Sequence, residues 1–190
     1  MTGLIGPGAF VAVVGASGVG KDALLSYARQ RSGDLARFPR RVITRPPGPD
    51  EDHDPMTGDQ FAEARDHGAF ALCWHAHGLR YGISASVDAE VHAGLIVVAN
   101  VSRSVIGELE ARYQRLFVVR VTVAEEVRAQ RLRARNRETE PGIAQRLRRP
   151  DPAPGHRVDA VIENGGSLAQ GGTRLLRIIR DAAHCPTTAR

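Results

Sequence analysis

Hydrophobic positions along the chain fall into short unbroken runs separated by longer amphipathic stretches. The runs are Ala9 to Val14 (AFVAVV), Leu95 to Ala99, Leu116 to Val123 and Ala160 to Glu163. A strand covered on both faces of a parallel sheet reads this way, as continuous apolar sequence without polar alternation. Between the runs, apolar residues recur at helical spacing: Ala23 to Ala28, about Ser104 to Tyr113, an arginine-rich stretch from Ala124, and about Leu168 to Ala183. Alternation of this kind predicts a parallel α/β sheet with helices on both faces. It breaks from Arg37 to about Val91. There a basic segment, Arg37 to Arg45, leads into a Pro/Gly/Asp-rich stretch, Pro46 to Gly58, predicted to be loop. A short helix around Gln60 to Asp66 and a mixed stretch, Phe70 to Ile83, follow. We read residues 37–91 as an inserted substrate-binding subdomain in a single domain, 1–190, whose core is 8–36 and 92–183. Pro141 to Pro154 is loop-prone in part, and 184–190 reads as a free tail.

Composition narrows the class. With 190 residues, the chain has the size of one ordinary domain and buries enough surface to need no disulfide. Aromatics make up 5%, so the core must be mostly Val, Leu, Ile and Ala. Two cysteines, Cys73 and Cys185, could form at most one bridge and do not make a secreted framework. No apolar run approaches the ~20 residues of a membrane span, and no basic segment precedes the apolar N-terminus as in a signal peptide. A cytoplasmic protein without membrane partners is expected. The net charge is +5, but of 26 basic residues only one, Lys21, is lysine. Arginine covers a solvated surface as well as lysine does. A lysine that survives such a drift is expected where a compact ammonium is needed.

Lys21 sits in Gly15-Ala16-Ser17-Gly18-Val19-Gly20-Lys21-Asp22, between the first strand and the first helix. This is GxxxxGK in the context a P-loop requires. Its backbone N–H groups and the helix N-terminus cradle phosphates, and the lysine reaches the β- and γ-phosphates. Where most P-loops carry Ser or Thr for Mg²⁺, this chain has Asp22, itself a hard oxygen ligand.

Other clusters leave more than one reading. Arg40, Arg41 and Arg45 with Tyr81 suit an acceptor pocket that holds a phosphate, or else form a solvated basic edge. His53 and Glu51, in Asp50-Glu51-Asp52-His53-Asp54, could touch substrate or make an acidic turn. Cys73, His75 and His77 alternate in a predicted strand, which would put three metal-ligating types on one face, but no second cluster completes a site. Arg128, Arg131 and Arg135 share a helical face, and Arg133, Arg137, Arg146, Arg148 and Arg149 lie near. A nucleic-acid surface would want aromatics, which are absent here. A lid about residues 135–155 that brings arginines onto a transferring phosphoryl group is the reading we favour.

With these residues in view, the chain resembles the guanylate kinase superfamily, and within it the ribose 1,5-bisphosphate phosphokinases of phosphonate breakdown. The resemblance is carried by GASGVGKD, Arg41 to Pro46 (RVITRP), Glu51 and His53, the block Phe70 to Ser84, Asn100 with Ser102-Arg103, and Asn164 with Gly166-Ser167-Leu168. It departs from true guanylate kinases where they read guanine: their glutamate falls on Leu72, the threonine of their YGT string on Ile83, and the second arginine of TTRxPR on Gly48. Their acidic residue at the end of the strand after the insertion matches Asn100. We expect Asp22 to restore that metal-facing carboxylate. The resemblance implies a guanylate kinase-like P-loop fold and transfer of the ATP γ-phosphoryl group, with Mg²⁺, to ribose 1,5-bisphosphate, giving 5-phosphoribosyl 1-diphosphate. By position it implies ATP binding at Gly15 to Asp22 and Asn164, and charge neutralisation by Lys21, Arg131, Arg135 and Arg146. Substrate contacts fall on Arg41, Arg45, Glu51, His53 and Tyr81. A guanylate kinase and an inactive guanylate kinase-like binding module are the competing readings. No nucleic-acid partner is implied, and a homodimer is left open.

Overall fold

The computed structural model describes residues 3–48, 52–134, 140–148 and 151–184, without the side chains of residues 140, 141, 145 and 146. In chain order its strands are β1 (Ala9–Val14), β2 (Ala36–Arg37), β3 (Arg41–Ile43), β4 (His53–Pro55), β5 (Phe70–Ala76), β6 (Leu79–Ser84), β7 (Ile96–Asn100), β8 (Leu116–Thr122) and β9 (Ala160–Glu163). Its helices are α1 (Lys21–Ser32), α2 (Gly58–Asp66), α3 (Ser86–His92), α4 (Ile106–Arg112), α5 (Glu125–Ala134), α6 (Glu140–Leu147) and α7 (Leu168–His184). Five strands form a parallel sheet in the order β2-β7-β1-β8-β9, which contains all four of the apolar runs. β1 runs through its middle with every residue buried. Because side chains alternate along a strand, Phe10, Ala12 and Val14 enter one core cluster while Ala9, Val11 and Val13 enter the other. On the second face α7 packs against α1, with Leu175, Leu176, Ile179 and Ala182 turned inward. This is the α/β, parallel-sheet P-loop architecture expected.

The insertion builds a sheet of its own, in the order β4-β3-β6-β5. The stretch Pro46 to Gly58, expected as loop, contains β4, which pairs in parallel with β3. No apolar pattern announces it. Arg40 beside β3 pins the segment through ion pairs to Asp52 at 2.7 Å and Asp54 at 3.1 Å, contacts a one-dimensional pattern does not carry. α2 begins at a capping box, in which Thr57 Oγ1 accepts from the Gln60 N–H and Gln60 Oε1 from the Thr57 N–H. α6 likewise occupies sequence read as partly loop-prone; Pro141 falls in its first turn, where a missing N–H costs nothing. The helix expected from Ser104 starts as a 3-10 turn, Arg103–Val105, before α4.

Candidate active site

β1 stops at Val14 and the chain turns through Gly15 to Gly20 into α1. Geometry requires glycine at more than one of these positions. Gly18 and Gly20 have φ of 89° and 93°, a region unfavourable to side chains, and a Cβ on Gly20 would lie 2.5 Å from Asn164 Nδ2. Lys21 Nζ donates to the carbonyls of Gly15 at 2.8 Å and Ala16 at 3.0 Å, which folds its stem back over the loop. Three further side chains hold the loop from outside. Arg128 Nε donates to the Ser17 carbonyl (2.9 Å), while Arg131 NH1 (3.2 Å) and Asn164 Nδ2 (2.8 Å) donate to that of Val19. Arg131 NH2 also reaches the Asn164 carbonyl at 2.8 Å. Fixing these carbonyls fixes the peptide planes, and so the direction of the N–H groups a phosphate would meet.

Asp22, in the first turn of α1, joins the loop to the insertion. Its Oδ1 accepts from Asn100 Nδ2 at 2.7 Å and from Arg41 NH2 at 3.0 Å. Asn100 ends β7 and Arg41 opens β3, so one carboxylate oxygen ties together the nucleotide loop, the central sheet and the insertion. The pairing of Asp22 with Asn100 is the proximity that substitution of one carboxylate for another requires. The metal that P-loop folds use fits these residues. Asp22 and Asn100 both line the cleft, and among the described residues the carboxylate takes its hydrogen bonds on Oδ1, leaving Oδ2 as a hard donor.

The cleft has a volume of about 400 Å³, within the usual range for a small-molecule site. The P-loop forms one wall. Arg41, Arg45, Tyr81 and the hairpin between β5 and β6 form another, and Ser102 to Ser104 with Arg128 complete it. Tyr81 is held by stacking on Trp74, centroids 5.3 Å apart and planes 6° from parallel. The hairpin turns at His77-Gly78, both with positive φ (58° and 72°), which is what a tight two-residue connection demands. His77 has therefore left the strand, so the alternation expected of Cys73, His75 and His77 is broken. Among the described residues no three His, Cys, Asp or Glu side chains converge as a metal site would need. Burial above all, with the charge of Glu108, pushes the Cys73 thiol up, away from the reactive thiolate.

Other expected residues stand behind the wall. His53, expected at the substrate, is 2% exposed, because β4 points its ring inward and its Nε2 donates to the Arg45 carbonyl at 3.1 Å. It supports the segment carrying Arg45 and does not line the cleft. Asn164 is similarly buried and braces the loop from the back rather than lining the cleft, and Arg131 docks on it. Leu72 and Ile83 pair across β5 and β6 and are both buried, so the two positions that read guanine in the resemblance present no polar atom here. Glu51 and Arg135 lie outside the described residues, as does the side chain of Arg146 on α6. Trp74, Arg103 and Arg128 line the cleft without having been singled out as site residues. Each had a signal in the sequence: Arg128 shares a helical face with Arg131, and Trp74 and Arg103 lie in stretches that carry the resemblance.

No family model matches the chain. It is 70% identical over 186 residues to "Ribose 1,5-bisphosphate phosphokinase PhnN" of Pseudofrankia inefficax, with 98% of each chain covered. It is 46% identical to the protein of the same name from Chelativorans sp., over 93% of this chain and 87% of that one. Among solved structures, a guanylate kinase from Anaplasma phagocytophilum superposes with a TM-score of 0.69 at 15% identity, covering 96% of this chain and 90% of that one, a likeness of fold.

Proposed function

This chain belongs to the ribose 1,5-bisphosphate phosphokinase PhnN family, and from that premise we propose that it phosphorylates ribose 1,5-bisphosphate at its 1-phosphate with ATP, giving 5-phosphoribosyl 1-diphosphate and ADP. The observation that carries the reading is the 3.0 Å contact of Asp22 with Arg41, which sets an acceptor-side guanidinium beside the phosphate loop. An oxygen of the acceptor 1-phosphate attacks the γ-phosphorus. The bond from γ-phosphorus to the β–γ bridging oxygen breaks, and its electron pair leaves with ADP. The attacking oxygen is already ionised, so no base has to remove a proton, and the chemistry reduces to alignment and charge neutralisation. Lys21 neutralises charge on the β- and γ-phosphates, and the P-loop amides hold them in line. Arg41 and Arg45 receive the acceptor phosphate, with the Tyr81 hydroxyl as a neutral donor. Arg135 and Arg146 serve the transferred group, as their positions in the resemblance imply, while Arg131, which the resemblance places with them, acts from behind by holding the Val19 carbonyl of the loop. Asp22 and Asn100 would hold Mg²⁺, which supplies charge neutralisation at the nucleotide phosphates.

The apolar Leu72–Ile83 pair favours the sugar bisphosphate over GMP, since a buried guanine edge would find no carboxylate to accept its N–H groups. Coupled measurement of ADP release with Mg²⁺ and ATP, comparing ribose 1,5-bisphosphate with GMP, tests the activity. Turnover is expected with the bisphosphate, and Lys21→Ala should lower kcat by about 100- to 1,000-fold. Turnover with GMP alone would replace this reading by a guanylate kinase.

A further inference from the structure

The cleft contains one arginine that the roles assigned above leave unused. Ribose 1,5-bisphosphate carries two phosphates, one at each end of the sugar, and the acceptor end must meet the P-loop. Arg41, bound to Asp22, belongs to that end, and Arg128 is committed to the Ser17 carbonyl. Arg103 lies three residues beyond Asn100, at most about 10 Å of extended chain, in the 3-10 turn that packs against β5. Its side chain lines the cleft yet is only 19% exposed. NH1 donates to Asp151 Oδ2 at 2.7 Å, and Asp151 Oδ1 is fixed in turn by the Ala153 N–H at 3.0 Å. A largely buried guanidinium with no counter-ion is costly, and Asp151 removes that cost from within the chain. The carboxylate also shows what the position takes: a planar fork meets an anion there, while Nε and NH2 keep donors for phosphate oxygens.

We propose that Arg103 is the specificity-determining residue that receives the second, non-reacting phosphate of the acceptor, and that Asp151 occupies its guanidinium until that phosphate arrives. The assignment rests on the sugar bisphosphate activity proposed above. A dianionic phosphate binds the fork more strongly than a single carboxylate, and the two repel each other beside it. Removing the arginine and removing the carboxylate therefore have opposite effects on acceptor binding.

Steady-state kinetics with ribose 1,5-bisphosphate and with ribose 1-phosphate, on the wild type, Arg103→Met, Arg103→Lys and Asp151→Asn, test this. In Arg103→Met the preference for the bisphosphate over the monophosphate falls on the order of 10- to 100-fold, through KM. Arg103→Lys retains part of that preference, and Asp151→Asn lowers the KM for the bisphosphate severalfold. Equal losses on both acceptors in Arg103→Met would overturn the assignment, since they mark an ion pair that only supports the fold. A raised bisphosphate KM in Asp151→Asn would overturn it as well. Wild-type turnover with GMP and none with the bisphosphate would remove the underlying activity, an outcome distinct from a wild type that prefers the bisphosphate while its Arg103 variants do not differ.

Discussion

Asp22 is placed where one residue can serve two sites, the proposed metal and the anchor of Arg41. Its place one residue after Lys21 puts it in the first turn of α1, where helix geometry carries its carboxylate to the end of the central sheet. From there Oδ1 holds both Asn100 and Arg41, and Oδ2 is left for a cation. Asp22→Ala should then raise the Mg²⁺ concentration needed for half-maximal rate and the KM for the acceptor together, each by about tenfold, because a metal ligand and the anchor of Arg41 are lost at once. Titration of rate against Mg²⁺ at several acceptor concentrations checks this. A change in the Mg²⁺ requirement alone would show that Arg41 needs no anchor. The two-sided role is invisible in the sequence, where Asp22 and Arg41 are separated by 18 residues and a change of sheet. What the sequence did carry was the local part: GxxxxGK after a buried strand is a chemical arrangement made by consecutive residues, so it is legible wherever they occur together.

Elements are held to one another by a second polar cluster, whose residues do not line the cleft. Arg112 at the end of α4 clamps Asp88 in α3, with Nε donating to Oδ1 at 3.0 Å and NH2 to Oδ2, and the hydroxyl of Tyr113 donates to Oδ1 at 2.7 Å. Burial pushes the Asp88 carboxyl up, but the hydrogen bonds from Arg112 and Tyr113 outweigh it and hold it below its ordinary 3.8. Burial foremost, and then the Asp88 carboxylate, push the Tyr113 hydroxyl up in its turn. A carboxyl depressed in the folded state contributes stability above its unfolded pKa, and that stability is lost as pH falls through about 4 and below. Asp88→Asn should cost about 1–3 kcal/mol at neutral pH and flatten the acid limb of the stability curve, as urea unfolding between pH 3 and 7 would show. At this scale, legibility follows the source of each element's stability. β1, β7, β8 and β9 announce themselves because burial on both faces writes a continuous apolar run. β4 does not, because pairing with β3 and the Arg40 ion pairs stabilise it.

Over the whole molecule, the central sheet supplies one wall of the cleft and the inserted sheet the other, so ligand binding and folding are linked. The non-hydrolysable analogue AMP-PNP with Mg²⁺, at about 100 times its Kd, should stabilise the chain by about 2.7 kcal/mol and raise Tm by roughly 5–10 °C, and Lys21→Ala should lose most of that shift. Differential scanning calorimetry would measure it; an equal shift in the variant would place the nucleotide elsewhere. The sequence by itself determined the order of buried strands, the phosphate loop and its single lysine, because each depends on neighbours along the chain or on a repeating pattern. It also marked Leu72 and Ile83 as apolar where guanine kinases are polar. Only the tertiary structure decided that those two face each other inside the core, that His53 supports Arg45 from behind, that Asn164 braces the loop, and that Arg103 meets Asp151 in the cleft. Each of these joins residues from separate elements. Which of a chain's many arginines, histidines and asparagines come to face a cleft depends on how sheets and helices pack, and that geometry exists only once the distant segments have come together.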